Sequence, residues 1–290
     1  MLGAVGLAVL GSACGPGASS GSPPDAGVVS SGLQLLLRRG VLSVVIGVGY
    51  DDSQRLDQSK VLPAVEADLR DRGFTELSKL DEPALTVELL GIPATLLEND
   101  GRYFVGSWGV GGVHAPALIR LIEPNQVAPK AQFVRAVRAA GVFIYAGHGR
   151  LGTGPDFDAI DSGAGNVVFS KTPQVEDPDD AYTVQQAAEV QASLASASLD
   201  TPELASSSPQ LGVFLGCTTR MYIPELRPYL PNLAILDTAE VVVWPPLLMH
   251  GSGVVLDALR AGANADGFQR SLMAIDDTTD IVVDGFSALF

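Results

Sequence analysis

The chain predicts an α/β domain of three layers, a mostly parallel central sheet with helices on both faces. Two observations carry this expectation. The apolar runs LSVVIGVGY (42–50), VFIYA (142–146) and LGVFLG (211–216) are continuous rather than alternating, the pattern of strands covered on both faces. Between such runs lie segments with helical spacing, and repeated strand–helix alternation is the signature of a parallel sheet.

Taken in order, the first strand is 42–50. The segment DDSQRLDQSKVLPAVEADLRDRGF follows, with Val61, Leu62, Val65 and Leu69 on one helical face and Gly73 as the stop. From Leu85, LTVELLGIPATLLENDGRYFVGSWGVGGV reads as one buried strand and then a hairpin or loop, with a helix possible from His114 to Ile122. KAQFVRAVRAAG (130–141) is helical, and VFIYA is a strand that ends in GHGR. NVVFSK (166–171) reads as a short strand and the Ala-rich 180–199 as a helix. LGVFLG is buried and ends at Cys217; LAILDT and VVVWP add one or two strands, and SGVVLDALRAGA and GFQRSLMAI are closing helices.

The chain has 290 residues, enough for one large domain, and 47% of them are hydrophobic, which excludes disorder across its length. A net charge of −15 argues against nucleic acid as a partner, because phosphate binding needs clustered Lys and Arg. Residues 1–14, MLGAVGLAVLGSAC, form a short apolar run too short to span a bilayer. The Gly/Ser/Pro-rich 15–32 reads as a flexible linker, and 33–290 as the folded domain. The start therefore reads as an export signal. LGSAC resembles a bacterial lipoprotein box, so Cys14 is a candidate for lipidation and a membrane anchor; an ordinary signal peptide or a disordered tail is the alternative.

Only Cys14 and Cys217 are present, so a mature domain without Cys14 holds a single thiol, either a buried small hydrophobe or a reactive group. His148 follows the VFIYA strand between Gly147 and Gly149, and Cys217 follows the VFLG strand after Gly216. If the two strands are parallel neighbours, imidazole and thiol share the carboxyl edge of the sheet, where α/β chemistry gathers. An imidazole beside a thiol supplies the thiolate nucleophile by taking its proton. The backbone N–H groups of Gly149 and Cys217 are candidates for an oxyanion hole.

On these residues the chain resembles the caspase-fold cysteine peptidases, the clan of caspases, metacaspases, legumains, gingipains, separases and CHAT-domain proteases. The likeness lies in VFIYAGHG and VFLGC, with His before Cys, and extends in weaker form over 41–275. VVIGVGY with AVEADLRDRGF is similar to the first strand and helix of bacterial caspase-like domains. EVVVWPPLLMHGSGVVLDALRAG resembles the strand and helix after the Cys in CHAT-type members. The resemblance implies a caspase-like fold and peptide-bond hydrolysis through an acyl-enzyme on Cys217. His148 would serve as base and then as acid to the leaving amine. It implies a protein or peptide substrate and no cofactor.

Asp237 and Glu240 lie at the end of the strand after the Cys-bearing one, where pocket walls are built. A carboxylate lining the pocket would select cleavage after Arg or Lys; a turn cap is the other reading of Asp237. His114 and His250 have loop-like Gly contexts and read as structural or surface residues. Asp51 and Asp52 either bind a cation or basic group or cap the helix that follows. GVGYDD lacks the phosphate-loop spacing, MHGSGV lacks the serine nucleophile-elbow spacing, and no zinc-ligand spacing is present. Two functions from different classes remain: a cysteine endopeptidase, or an inactive caspase-fold binding or scaffolding lipoprotein.

Overall fold

The continuous apolar runs form the middle of one nine-stranded sheet. The computed structural model describes residues 31–49, 58–98, 101–147, 149, 154–157, 184, 205–217, 219–239 and 245–289. Its strands are β1 (Leu37–Arg38), β2 (Val41–Val48), β3 (Thr75–Glu76), β4 (Arg102–Val110), β5 (Val113–Ile122), β6 (Val142–Ala146), β7 (Gln210–Leu215), β8 (Leu233–Thr238) and β9 (Ile281–Asp284). The order across the sheet is β3-β4-β5-β2-β6-β7-β8-β9, with β1 paired to β2. The five central strands, β5 to β8 in that order, are parallel, and antiparallel pairs flank them on both sides. The protein is thus a three-layer α/β fold with a mixed, mostly parallel sheet.

Helices cover both faces. They are α1 (Gln58–Asp71), α2 (Pro83–Leu89), α3 (Pro129–Ala139), α4 (Pro245–Ala261) and α5 (Ala265–Met273). Side chains alternate along a strand, so each run feeds both layers. Val44, Ile46, Ile144, Val213 and Leu236 pack under Val65 and Leu69 of α1, Leu256 of α4 and Phe268 of α5. Val45, Phe143, Tyr145, Phe214 and Ile235 face the other way, onto Phe133 and Val137 of α3 and onto Tyr222 and Leu226. Of the expected helical face of α1, Val61, Val65 and Leu69 are buried and Leu62 is half-buried beside them.

One cross-layer tie has a measurable weight. The last carbonyls of a helix lack intrahelical partners, and at α3 the fully buried Gln210 of β7 supplies them. Its Nε2 donates to Val137 O at 2.6 Å and to Ala140 O at 2.9 Å. Gln210→Leu is expected to cost about 2–3 kcal/mol and to lower the thermal midpoint by about 5 °C, measured by thermal and urea unfolding.

The region after α1 departs from expectation. LTVELL is helix α2 rather than a buried strand: Pro83 occupies its first turn, where proline favours a helix, and only Val87 is buried. The stretch from His114 to Ile122 is strand β5 rather than a helix, hydrogen-bonded to β4 on one side and β2 on the other. Its Pro116 precedes the segment paired with β2, which starts at Ala117, so the missing N–H costs that ladder nothing. Arg120, buried in mid-strand, bonds Glu98 at 2.8 Å and Gln132 at 2.8 Å. His114 stands exposed on β5 and His250 lies within α4, so neither is on a loop. The segments 1–30, 166–171 and 241–244 lie outside the described residues, as does 180–199 apart from the helical, exposed Val184.

Candidate active site

Strands β6 and β7 are parallel neighbours in register from Val142 opposite Leu211 to Ala146 opposite Leu215. Their carboxyl ends are therefore level, and the ladder runs one step further, Gly147 N donating to Leu215 O at 3.0 Å. Beyond it the two chains pack backbone against backbone. A Cβ on Gly216 would sit 2.4 Å from Gly147 O, and one on Gly149 would sit 1.8 Å from Cys217 O. A Cβ on Gly147 would meet Gly49 Cα, just past β2, at 2.7 Å. No side chain fits these positions, which gives the glycines around the His and the Cys a steric reason. His148 itself lies outside the described residues. Both its neighbours in sequence, Gly147 and Gly149, lie against Gly216 and Cys217.

Cys217 is a half-buried cysteine at the turn that leaves β7. Two buried threonines hold that turn. Thr219 Oγ1 donates to Phe214 O at 2.9 Å and lies 2.9 Å from Thr238 Oγ1. Thr238, at the end of β8, donates its N–H to Thr219 Oγ1 at 3.0 Å and its hydroxyl to Gly216 O. The amide nitrogens of Gly149 and Cys217 lie in the same seam: the first is 3.4 Å from the Cβ position of Gly216, the second 3.1 Å from that of Gly149.

Beneath the seam is a buried polar layer on the α3 face. Tyr222 donates its hydroxyl to Gly149 O at 3.2 Å. Tyr145 donates to Asp156 O at 2.9 Å and accepts from Asp156 N at 2.9 Å. Burial pushes the Tyr222 phenol well above its ordinary range, and Tyr145, Asp156, Asp237 and Cys217 push the same way. Tyr222 therefore stays neutral and keeps the proton it donates. Asp237 sits on β8 opposite Phe214, fully buried, and neither carboxyl oxygen has a hydrogen-bond partner among the described residues. Burial drives its pKa well upward; nearby Asp284 adds to the rise and Arg227 opposes it.

The sequence-based candidates thus separate. Gly149 and Cys217 are brought together. Asp237 belongs to the same edge but is enclosed rather than presented on a cleft wall. Glu240, Asp51, Asp52 and Cys14 lie outside the described residues. His114 is at the start of β5, the opposite edge of the sheet from Cys217. His250, exposed on α4, has Nδ1 3.3 Å from both carboxyl oxygens of Asp68. Sequence reading missed Tyr145, Asp156, Thr219, Tyr222 and Thr238. Only the inward phase of Tyr145 in its strand was a usable signal; the two threonines are nineteen residues apart and meet only through strand pairing.

Chemically, the arrangement offers a thiol at a strand end and two neighbouring backbone amides, the groups that nucleophilic acyl transfer requires. Among the described residues no group of three or more His, Cys, Asp or Glu comes together to hold a metal ion. Compared with known proteins, the chain matches no family model, no curated protein and no solved structure.

Proposed function

We propose that the protein is a caspase-fold cysteine endopeptidase, with Cys217 as nucleophile and His148 as its general base. The observation that carries this reading is the seam: the two residues flanking His148 both pack on the Gly216–Cys217 segment. In this reaction the Cys217 sulfur attacks the peptide carbonyl, and its proton passes to His148 and then to the leaving amine. Water hydrolyses the resulting thioester. The amides of Gly149 and Cys217 are the donors assigned to the oxyanion. A basic residue on the acyl side of the cleaved bond is the preference we assign. Since Asp237 is enclosed and its neutral form favoured by burial, Glu240 is the acidic residue of that strand end left to face it. We propose that the protein is exported, and is either anchored in the cell envelope through a lipidated Cys14 or periplasmic or secreted.

In native protein, Cys217 is expected to react with iodoacetamide at least tenfold faster than a model thiol, because His148 as base supplies the thiolate. Cys217→Ala should abolish cleavage of a peptide library varied at the P1 position, with unfolding unchanged to within about 1 kcal/mol. If Cys217 labels no faster than a free thiol and nothing in the library is cleaved, the inactive scaffolding reading replaces this one. A P1 preference other than Arg or Lys would remove the role given to Glu240 alone.

A further inference from the structure

The hydroxyls of Thr219 and Thr238 end on an informative atom. Gly216 O belongs to the same peptide group as the N–H of Cys217, so a hydrogen bond to one end of that group is felt at the other. Thr238 has one hydroxyl proton and gives it to Gly216 O. Thr219 gives its own hydroxyl proton to Phe214 O, and its oxygen lies 2.9 Å from Thr238 Oγ1. The result is a network across the two strand ends: Thr238 N–H donates to Thr219 Oγ1, Thr219 to Phe214 O, and Thr238 to Gly216 O. Both threonines are fully buried, so water does not compete for these bonds. Successive hydrogen bonds of this kind polarise one another, and strengthen in a low dielectric.

We propose that Thr219 and Thr238 are positioning residues for the acylation step: the Thr238 hydroxyl fixes and polarises the Gly216–Cys217 peptide, and Thr219 anchors Thr238, so that the Cys217 N–H serves the oxyanion. The inference rests on the peptidase reading above and deepens it. When the Cys217 sulfur bonds to a substrate carbonyl carbon, the C=O π pair moves onto oxygen, and the negative charge forms where that N–H is aimed. The network does not touch the substrate. It holds the donor still and strengthens it before the charge arrives, which is how preorganised donors lower a barrier.

Two reactions of the same sulfur separate this role from a merely structural one. Iodoacetamide is attacked at its CH2 carbon: an S–C bond forms, the C–I bond breaks, iodide leaves with the electron pair, and no oxyanion arises. An activated p-nitrophenyl ester is attacked at its carbonyl and does pass through an oxyanion. Thr238→Val, which keeps the shape and removes the hydroxyl, is expected to lower the acylation rate constant by about 10-fold or more. KM and the rate and pH profile of alkylation should stay at wild-type values, and Thr238→Ser should restore acylation. Thr219→Val removes the hydroxyl that anchors Thr238 and is the second variant should Thr238→Val not fold; the same split is expected of it. Equal acylation in wild type and both Val variants would overturn the proposal, as would a loss of acylation matched by an equal loss of alkylation. If wild type is neither alkylated faster than a model thiol nor acylated, the peptidase reading falls and this inference with it. Normal wild-type acylation with indifferent Val variants removes this inference alone.

Discussion

Gly149→Ala is expected to reduce turnover by about 100-fold or more. The methyl carbon would lie 1.8 Å from Cys217 O and 2.8 Å from its carbonyl carbon, well inside van der Waals contact. These are main-chain atoms on both sides, so no side-chain rotation relieves the clash. The two chain segments must separate by more than an ångström, and a misplacement of that size at reacting atoms suffices for such a loss. Stability should fall by only about 1–3 kcal/mol, the usual cost of overpacking, because the strands before the seam keep their ladder. Steady-state kinetics with the peptide library and urea unfolding measure the two effects. Gly91→Ala is the control: it is a left-handed glycine with open space around it, so it should cost about 1 kcal/mol of stability and leave turnover unchanged. Equal turnover in wild type and Gly149→Ala would mean that the seam does not set the position of Cys217.

The second large effect concerns pH. Asp237 is fully buried without a hydrogen-bond partner among the described residues, and its pKa in the folded protein is raised well above the ordinary carboxylate value. Above the ordinary range, near 3.9, the unfolded chain releases this proton while the folded protein retains it. The unfolded state then binds fewer protons, so stability declines as pH rises, by about 1.4 kcal/mol per pH unit from this one group. The contribution is intact below the unfolded pKa, is lost progressively above it, and levels off once the buried carboxyl ionises. Asp237→Asn keeps the shape and cannot ionise, so its unfolding free energy should gain on wild type as pH rises above about 4, until the buried carboxyl ionises. The difference between the two curves is the quantity to measure, since other titrating groups cancel in it. Parallel curves would mean that Asp237 is not held in its neutral form. Such a costly group inside the sheet is itself informative, since an unpaired buried carboxyl weakens the fold that contains it.

Much of the fold was legible in the sequence because continuous apolar strands and the α1 face are long-range burial signals written locally. Val142–Ala146 and Gln210–Leu215 could be read as level parallel strands, and they are. In the stretch 85–122 the hairpin was legible, since β4 and β5 pair antiparallel around Gly111 and Gly112. Helix α2 and the strand from His114 were not: their apolar residues serve a short helix with one buried side chain and a strand paired on both sides, and composition does not distinguish these. Of the site, the juxtaposition of Gly147 and Gly149 with Gly216 and Cys217 was readable from strand ends and glycines. The Thr219–Thr238 network was not, because a hydroxyl's partner depends on which strands become neighbours. Nor was the enclosure of Asp237, since a carboxylate at a strand end more often faces water.

The borders of the sheet have a consequence for how the molecule meets copies of itself. On one side the sheet stops at β3, two residues long, where Glu76 is bound by Arg102 at 2.9 Å and Lys79 at 2.9 Å. Arg102 chiefly holds that carboxyl down to about 2, so this margin stays ionised in any but strongly acidic medium. On the other side it stops at the four-residue β9, with Asp284 paired to Arg227. Short charged margins are poor templates for a foreign strand. At β3 and β9, then, the folded domain offers a second copy little backbone on which to extend the sheet.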